Sequence, residues 1–258
     1  MRLNGNTILI TGGGSGIGRG FAEAFHKLDN RVVITGRNRG KLDETTAANP
    51  GMESMTLDVD DPGGITRFAG EVVERFGSLN VLINNAGLMR AEDLTRHDIA
   101  DAEATITTNL LGPIRLTAAL LPHLLAQASA AVMNVTSGLA FVPLPSTPTY
   151  CATKAALHSY TLSLREQLTG TSVEVFEIAP PYVQTYLTGE HQATDPRAMP
   201  LDEYIAATME ILTNRPDERE VIIDRVAPLR HAEASGAFDQ VFAGLAAMGR
   251  ESGAAGDS

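Results

Sequence analysis

Thr7-Ile8-Leu9-Ile10-Thr11-Gly12-Gly13-Gly14-Ser15-Gly16-Ile17-Gly18 lies close to the start of the chain. Residues 7–11 are a short apolar, β-rich run, which reads as a buried parallel strand. The run breaks into a glycine-rich turn. Residues 19–28 then read as a helix, with Ile17, Phe21, Ala24, Phe25 and Leu28 on one apolar stripe. Strand, glycine turn and helix in this order form a dinucleotide-binding entry. Glycines let the backbone turn tightly and approach a pyrophosphate. The helix N-terminus offers free N–H groups at the positive end of its dipole.

The alternation continues outward from this entry. Further strands are expected at 31–36, 52–57, 79–84, 130–136, 171–178 and 220–224. Helices are expected from Lys41 to Ala48, from the Asp61-Pro62 start signal to Phe76, and over 98–126, 150–168, 201–212 and 233–248. Gly112-Pro113 predicts a kink in the longest of them. Linkers are short and no domain boundary shows. The expected architecture is a single-domain α/β Rossmann fold over residues 1–248, a doubly wound seven-stranded parallel sheet with helices on both faces. Residues 249–258 are small and polar and read as a disordered tail.

Bulk composition narrows the partners. The chain has 258 residues, 43% hydrophobic and 20% charged, as an ordinary globular protein does. Its net charge of −11 gives it no general attraction for nucleic acid or an anionic membrane, so any phosphate must be held locally. Cys151 is the one cysteine, so no intrachain disulfide can form. No apolar leader or membrane-length run is present, and a cytoplasmic location is expected.

The polar candidates fall at the carboxyl ends of the strands, where open parallel sheets bind ligands. Gly12 to Gly18 follow the first strand, Arg37 the second, Asp58 the third, Asn85-Ala86-Gly87 the fourth, Ser137 the fifth and Pro180 to Thr185 the sixth. In the helix after Ser137, Tyr150 and Lys154 stand one turn apart and share a face. A lysine cation beside a phenol favours the phenolate and pulls its pKa down from near 10. Such a tyrosine can exchange a proton with an alcohol or ketone oxygen.

Taken together, Thr11-Gly12-x-x-x-Gly16-x-Gly18, Asn84-Asn85-Ala86-Gly87 and Tyr150-x-x-x-Lys154, with Ser137 and Asn109 at the usual spacings, resemble the short-chain dehydrogenase/reductase family. The resemblance covers about the first 225 residues. It implies a nicotinamide-dependent oxidoreductase that interconverts a secondary alcohol and a ketone or aldehyde. It makes Tyr150 the general acid/base, Lys154 its partner and the ligand of the nicotinamide ribose, Ser137 a donor to the substrate oxygen, and Asn109 the holder of a relay water. Gly12, Ser15, Gly16, Ile17, Gly18, Asp58, Val59, Asn85, Ala86, Gly87, Pro180, Val183 and Thr185 would line the cofactor. Pro181 stands where the family usually has glycine, which puts the Val183 and Thr185 contacts in question.

Cofactor choice turns on the end of the second strand. An acid there accepts from the adenine ribose and repels a 2′-phosphate. This chain has Gly36 followed by Arg37, a residue suited to grip a phosphate. NADP(H) is therefore expected over NAD(H), which stays possible. Leu139, Phe141, Tyr182 and Leu187, with Ser137 and Tyr150, are the expected substrate contacts, and they suit a neutral, fairly apolar small molecule. Residues 186–200 lack a clear period and read as a lid. The resemblance also implies a homodimer or homotetramer. The competing reading is a nucleotide-sensing protein on the same fold, without turnover.

Overall fold

β1 (Thr7–Thr11) is buried along its whole length. The structure, a computed structural model, describes residues 2–96 and 99–254. The other strands are β2 (Arg31–Gly36), β3 (Glu53–Thr56), β4 (Leu79–Asn84), β5 (Ala130–Val135), β6 (Val173–Ile178) and β7 (Glu220–Val221). They form one seven-stranded sheet in the order β3-β2-β1-β4-β5-β6-β7, and every pairing is parallel. Parallel strands need crossovers. These are provided by α1 (Gly16–His26), α2 (Arg39–Ala48), α3 (Pro62–Arg75), α4 (Ala100–Ile106), α5 (Gly112–Leu125), α6 (Pro148–Gln167), α7 (Glu190–Thr194) and α8 (Leu201–Asn214). After β7 come α9 (Ala227–Arg230) and α10 (Phe238–Ala254).

Side chains of successive strand residues point to opposite faces, and the core divides accordingly. Ile8, Ile10, Val32, Ile34, Val81 and Ile83 face α1 and α8, where they meet Phe21, Phe25 and Tyr204. Leu9, Val33, Leu82 and Val132 face α3, α5 and α6, and meet Phe68, Leu116, Leu120 and Leu164. Both faces are therefore covered, which is why the strands are apolar runs rather than alternating ones.

Several boundaries differ from the sequence expectation. β7 covers only Glu220–Val221, because it pairs with Glu177 and Ile178 alone. β3 and β6 are shortened likewise. The long helix divides into α4, a π-helical segment (Thr107–Leu111) and α5. In that segment Gly112 N donates to Thr107 O, five residues back, just before Pro113, which has no N–H. Asp98, the expected start, lies outside the described residues. The last helix begins at Phe238 and runs to Ala254, so helix occupies part of the expected tail. Residues 255–258 lie outside the described residues. Among the described residues no helix is long and apolar enough to cross a membrane.

Two constraints shape the region above the strands. The strand order reverses between β1 and β4, which opens a crevice at their carboxyl ends. A buried polar chain also crosses the sheet. Asn84 Nδ2 donates to Thr117 Oγ1 on α5 at 3.0 Å and to Asn134 Oδ1 on β5 at 2.8 Å. Asn134 Nδ2 donates in turn to Thr161 Oγ1 on α6 at 2.9 Å. Buried polar groups are costly unless paired, so this chain fixes α5 and α6 to the two strands between them.

Candidate active site

The first wall of the crevice is the glycine turn. Gly12 has φ +66° and Gly16 φ +52°, the left-handed region that favours glycine. A Cβ on Gly18 would lie 2.3 Å from Gly12 O, so only glycine permits that approach. Ser15 caps α1 by position but makes no side-chain cap bond, and no acid occupies the first turn. The N–H groups and positive dipole end of α1 are thus left for a ligand, which fits a pyrophosphate. Ile17, in that first turn, packs against the core. Asn85 and Ala86 close the wall. Their backbone N–H groups both donate to Thr11 Oγ1, at 2.9 and 3.0 Å, and Asn85 Nδ2 donates to Thr11 O at 2.9 Å. The Asn85 side chain therefore braces the turn.

The second wall is built by β5 and α6. Tyr150 and Lys154 lie on one face of α6 and both are buried. The Tyr150 phenol lies near enough to Ser137, two residues past the end of β5, for the serine to favour its ionised form. Ser137 Oγ also accepts from Leu139 N at 3.1 Å, which holds the following turn. Lys154 Nζ donates to Val135 O at 2.8 Å and lies 5.6 Å from the Tyr150 ring centroid. Gly87 sits against both Asn109 and Lys154: a Cβ there would be 3.2 Å from Asn109 Oδ1 and 3.8 Å from Lys154 Nζ. Asn109, in the π-helical segment, accepts from Leu88 N at 2.9 Å and donates to Leu88 O at 2.8 Å and Thr153 Oγ1 at 3.3 Å. Its side chain braces Leu88 and α6.

The electrostatics correct one expectation. The sequence reading has Lys154 pulling the Tyr150 phenol down. In the folded chain burial dominates and pushes the phenol up to about 12, with the nearby Ser137 opposing it. Burial likewise pushes the Lys154 ammonium down to about 8. Each group loses the water that would solvate its charged form, and 5.6 Å of separation from the ring does not make up for it.

The end of the crevice at β2 and β3 is more open. Gly36 closes β2, and the exposed Arg37 reaches Asp60 Oδ2 at 3.4 Å. Asp58 is exposed and its Oδ1 accepts from Asp60 N at 3.0 Å, a turn contact. Val59 packs against Gly112, where a Cβ would be 3.1 Å away.

After β6, Pro180 O accepts from Gly138 N at 2.9 Å and ties this segment to the Ser137 turn. Thr185 lies over Gly16, 3.5 Å from the position of a Cβ there. Val183 O and Thr185 Oγ1 both accept from Gln192 Nε2, at 2.7 and 3.0 Å. The segment expected to be a lid, 186–200, is bonded to residues 182–185 just before it. Val183 bridges Met199, and Asp195 accepts from Tyr182 Oη and pairs with Arg197. Arg197 accordingly holds the Asp195 carboxyl well below the usual range. Of the expected substrate contacts, Leu139 is half-buried beside Ser137. Phe141 packs edge-on against His158, Tyr182 is taken up by Asp195, and Leu187 is 40% exposed.

Sequence reasoning missed Gln192, Asp195, His158 and Glu177. The first two sit in a stretch without periodicity and leave no signal there. Glu177 did leave one: an acid within an apolar strand, Val173–Ile178, must find a partner once buried.

Comparison with known proteins agrees with this architecture. A family model described as short chain dehydrogenase matches residues 6–196. The protein named uncharacterized oxidoreductase DltE, from Bacillus subtilis (strain 168), is 39% identical over 248 residues, covering 94% of this chain and 97% of the relative. A short chain dehydrogenase from Burkholderia cenocepacia J2315 in complex with NADP superposes with a TM-score of 0.79 at 26% identity, over 95% of this chain and 99% of that one. A short chain dehydrogenase/reductase from Burkholderia phymatum in complex with NAD shares the fold, with a TM-score of 0.80 at 24% identity, over 91% of this chain and 95% of that one.

The buried lysine has a measurable signature. Its folded-state value is depressed to about 8 from an ordinary 10.5. The linked stability is therefore fully present above 10.5 and is lost as pH falls through 8. In urea unfolding, the stability difference between parent and Lys154→Met should move in the parent's favour as pH rises across that window. A flat difference would contradict a buried, desolvated ammonium.

Proposed function

The chain belongs to the short-chain dehydrogenase family, and on that premise we propose that it is a nicotinamide-dependent oxidoreductase interconverting a secondary alcohol and a ketone or aldehyde. The carrying observation is the buried cluster of Tyr150, Ser137 and Lys154, in the same crevice as the uncapped start of α1. A nicotinamide cofactor bound in that crevice supplies or accepts the hydride.

The residues do the rest. With its pKa raised by burial, Tyr150 is protonated at neutral pH and is ready to give its Oη proton to a carbonyl oxygen. Ser137 Oγ–H donates to the same oxygen and holds it in place. Lys154, mostly charged below about 8, stabilises the phenolate that remains. In the direction of oxidation the phenolate form of Tyr150 takes the alcohol proton. The half-buried Leu139 beside Ser137 supports a neutral, fairly apolar substrate.

At the adenosine end, the reading we favour is NADP(H). The Arg37–Asp60 contact is long, at 3.4 Å, and Arg37 is 62% exposed, so the pair is weak and leaves the guanidinium available to a 2′-phosphate. For assembly, the reading carries a homodimer or homotetramer through α5 and α6, where Ala118, Ala119, Ala152 and Ala155 are exposed and permit close helix packing.

Absorbance assays of simple ketones and secondary alcohols with NADPH and NADH test the proposal. Turnover is expected in the parent, and Tyr150→Phe should lose on the order of 10²- to 10⁴-fold in rate while still binding cofactor. Cofactor binding with no turnover of any compound would favour the sensing protein instead. Arg37→Ala should weaken NADPH binding more than NADH binding, and a parent that binds NADH as well as NADPH refutes the preference. Light scattering at micromolar concentration should give at least a dimer mass; a monomer would end that part of the reading.

A further inference from the structure

Glu177 is a charged residue inside the sheet, with a side chain 0% exposed. Both its oxygens are engaged. Thr136 Oγ1 donates to Oε1 at 2.7 Å, and His158 Nδ1 pairs with Oε2 at 2.7 Å. Thr136 immediately precedes Ser137, and His158 lies one helical turn beyond Lys154 on α6. Tyr150, Lys154 and His158 thus form one stripe of α6, and the stripe lies along three successive residues, Val135, Thr136 and Ser137, where β5 ends. Tyr150 meets Ser137, Lys154 meets Val135, and His158 meets Thr136 through Glu177.

The contacts extend past the histidine. The His158 ring packs edge-on against Phe141, centroids 5.1 Å apart, and Arg230 stands over the other partner, 5.0 Å from the Phe141 centroid. Arg230 pairs with Glu220 at 2.7 Å. His158, Glu177 and Glu220 approach one another closely enough to suggest a cation cage. Yet each carboxylate already has its own countercharge, His158 or Arg230, so the cluster is an ion-pair network.

We propose that His158 and Glu177 are positioning residues for the proton transfer: while His158 is charged, the pair fixes α6 against the end of β5 and so fixes Tyr150 relative to Ser137. The inference rests on the function proposed above. The Lys154–Val135 bond and the His158–Glu177–Thr136 chain, on one helix face, set both its height and its rotation. Losing the charge on His158 leaves a buried carboxylate facing a neutral ring, and that chain weakens.

The pair also makes the positioning depend on pH. Glu177, from β6, holds the His158 imidazolium above its ordinary 6.5 chiefly through the hydrogen bond, against desolvation. Glu220 on β7 acts in the same direction and Arg230 on α9 opposes it. On α6 itself, Arg165 feels Glu177 and Glu220, and Lys154 is the remaining charged group of the stripe. A raised value means that the contribution is fully present below 6.5 and is lost as pH rises through the folded-state value.

Two variants test this. Glu177→Gln keeps the shape, can still accept from Thr136, and can donate to a neutral imidazole. His158→Gln keeps a donor toward Glu177. Neither keeps the charge pair, and neither strips a buried group of all partners. We would measure kcat with NADPH and the simple ketone panel from pH 5.5 to 9 for the parent and both variants, with NADPH affinity and thermal melts as controls of the fold. At pH 6 kcat should fall about 10-fold in each variant, less than the ~10²-fold that a 1 Å misplacement can cost, with NADPH affinity held within about twofold. The parent-to-variant ratio should then approach one as His158 loses its proton. Taking the ratio cancels the titration of Lys154, which all three proteins share. A ratio near one throughout, or a ratio well above one that does not change with pH, overturns the proposal and leaves the oxidoreductase reading standing. If one variant does not fold, the other carries the same comparison. A parent that reduces none of the ketones removes the oxidoreductase reading, and this proposal falls with it.

Discussion

The Thr11 hydroxyl is the small constraint on which the site depends. It accepts from the backbone N–H groups of both Asn85 and Ala86 and so pins the end of β4 to the end of β1. Those are the two strands at which the sheet reverses its order. Everything above them must splay apart, with the glycine turn on one side and β5 and α6 on the other. Asn85 adds a side-chain bond to Thr11 O, and Gly18 has room beside Gly12 only because it lacks a Cβ. The crevice is thus fixed by backbone geometry before any ligand chemistry enters.

The second feature is how much polarity the core carries. The chain from Thr117 through Asn84 and Asn134 to Thr161 runs through the middle of the sheet. Lys154 and Glu177 are buried charged groups beside the same strand end. An apolar core of equal volume could be as stable, since buried charges repay their desolvation only with good geometry. What these groups add is direction. Each hydrogen bond fixes the rotation of a helix that apolar packing alone would leave freer to adjust. In contrast, the ion pairs of the surface, such as Arg39–Asp43 and Arg67–Asp61, are screened by solvent and fix little.

The balance of charge gives the acidic chain a local polarity. Arg37 stands at the open end of β2, and α1 begins with no acid in its first turn. The site therefore offers positive groups at two places along the crevice, on a protein whose net charge is −11. Such a field attracts a phosphorylated ligand over short range while the surface as a whole repels other polyanions.

The sequence by itself determined the alternation of strands and helices, the glycine turn and the placing of candidate residues at the carboxyl ends of strands. These follow from local physics: apolar period, turn chemistry and the spacing of Tyr150 and Lys154 on one helical face. Tertiary structure decided what no local pattern encodes. It shortened β7, because a strand extends only as far as its partner Glu177–Ile178 allows. It converted the expected kink before Pro113 into a π-helical step. It closed the stretch around Asp195 and Gln192 through side chains that meet across turns and carry no periodic signal. It also reversed the expected pull on the Tyr150 phenol, since desolvation depends on everything packed around a group, and the sequence holds only its neighbours along the chain.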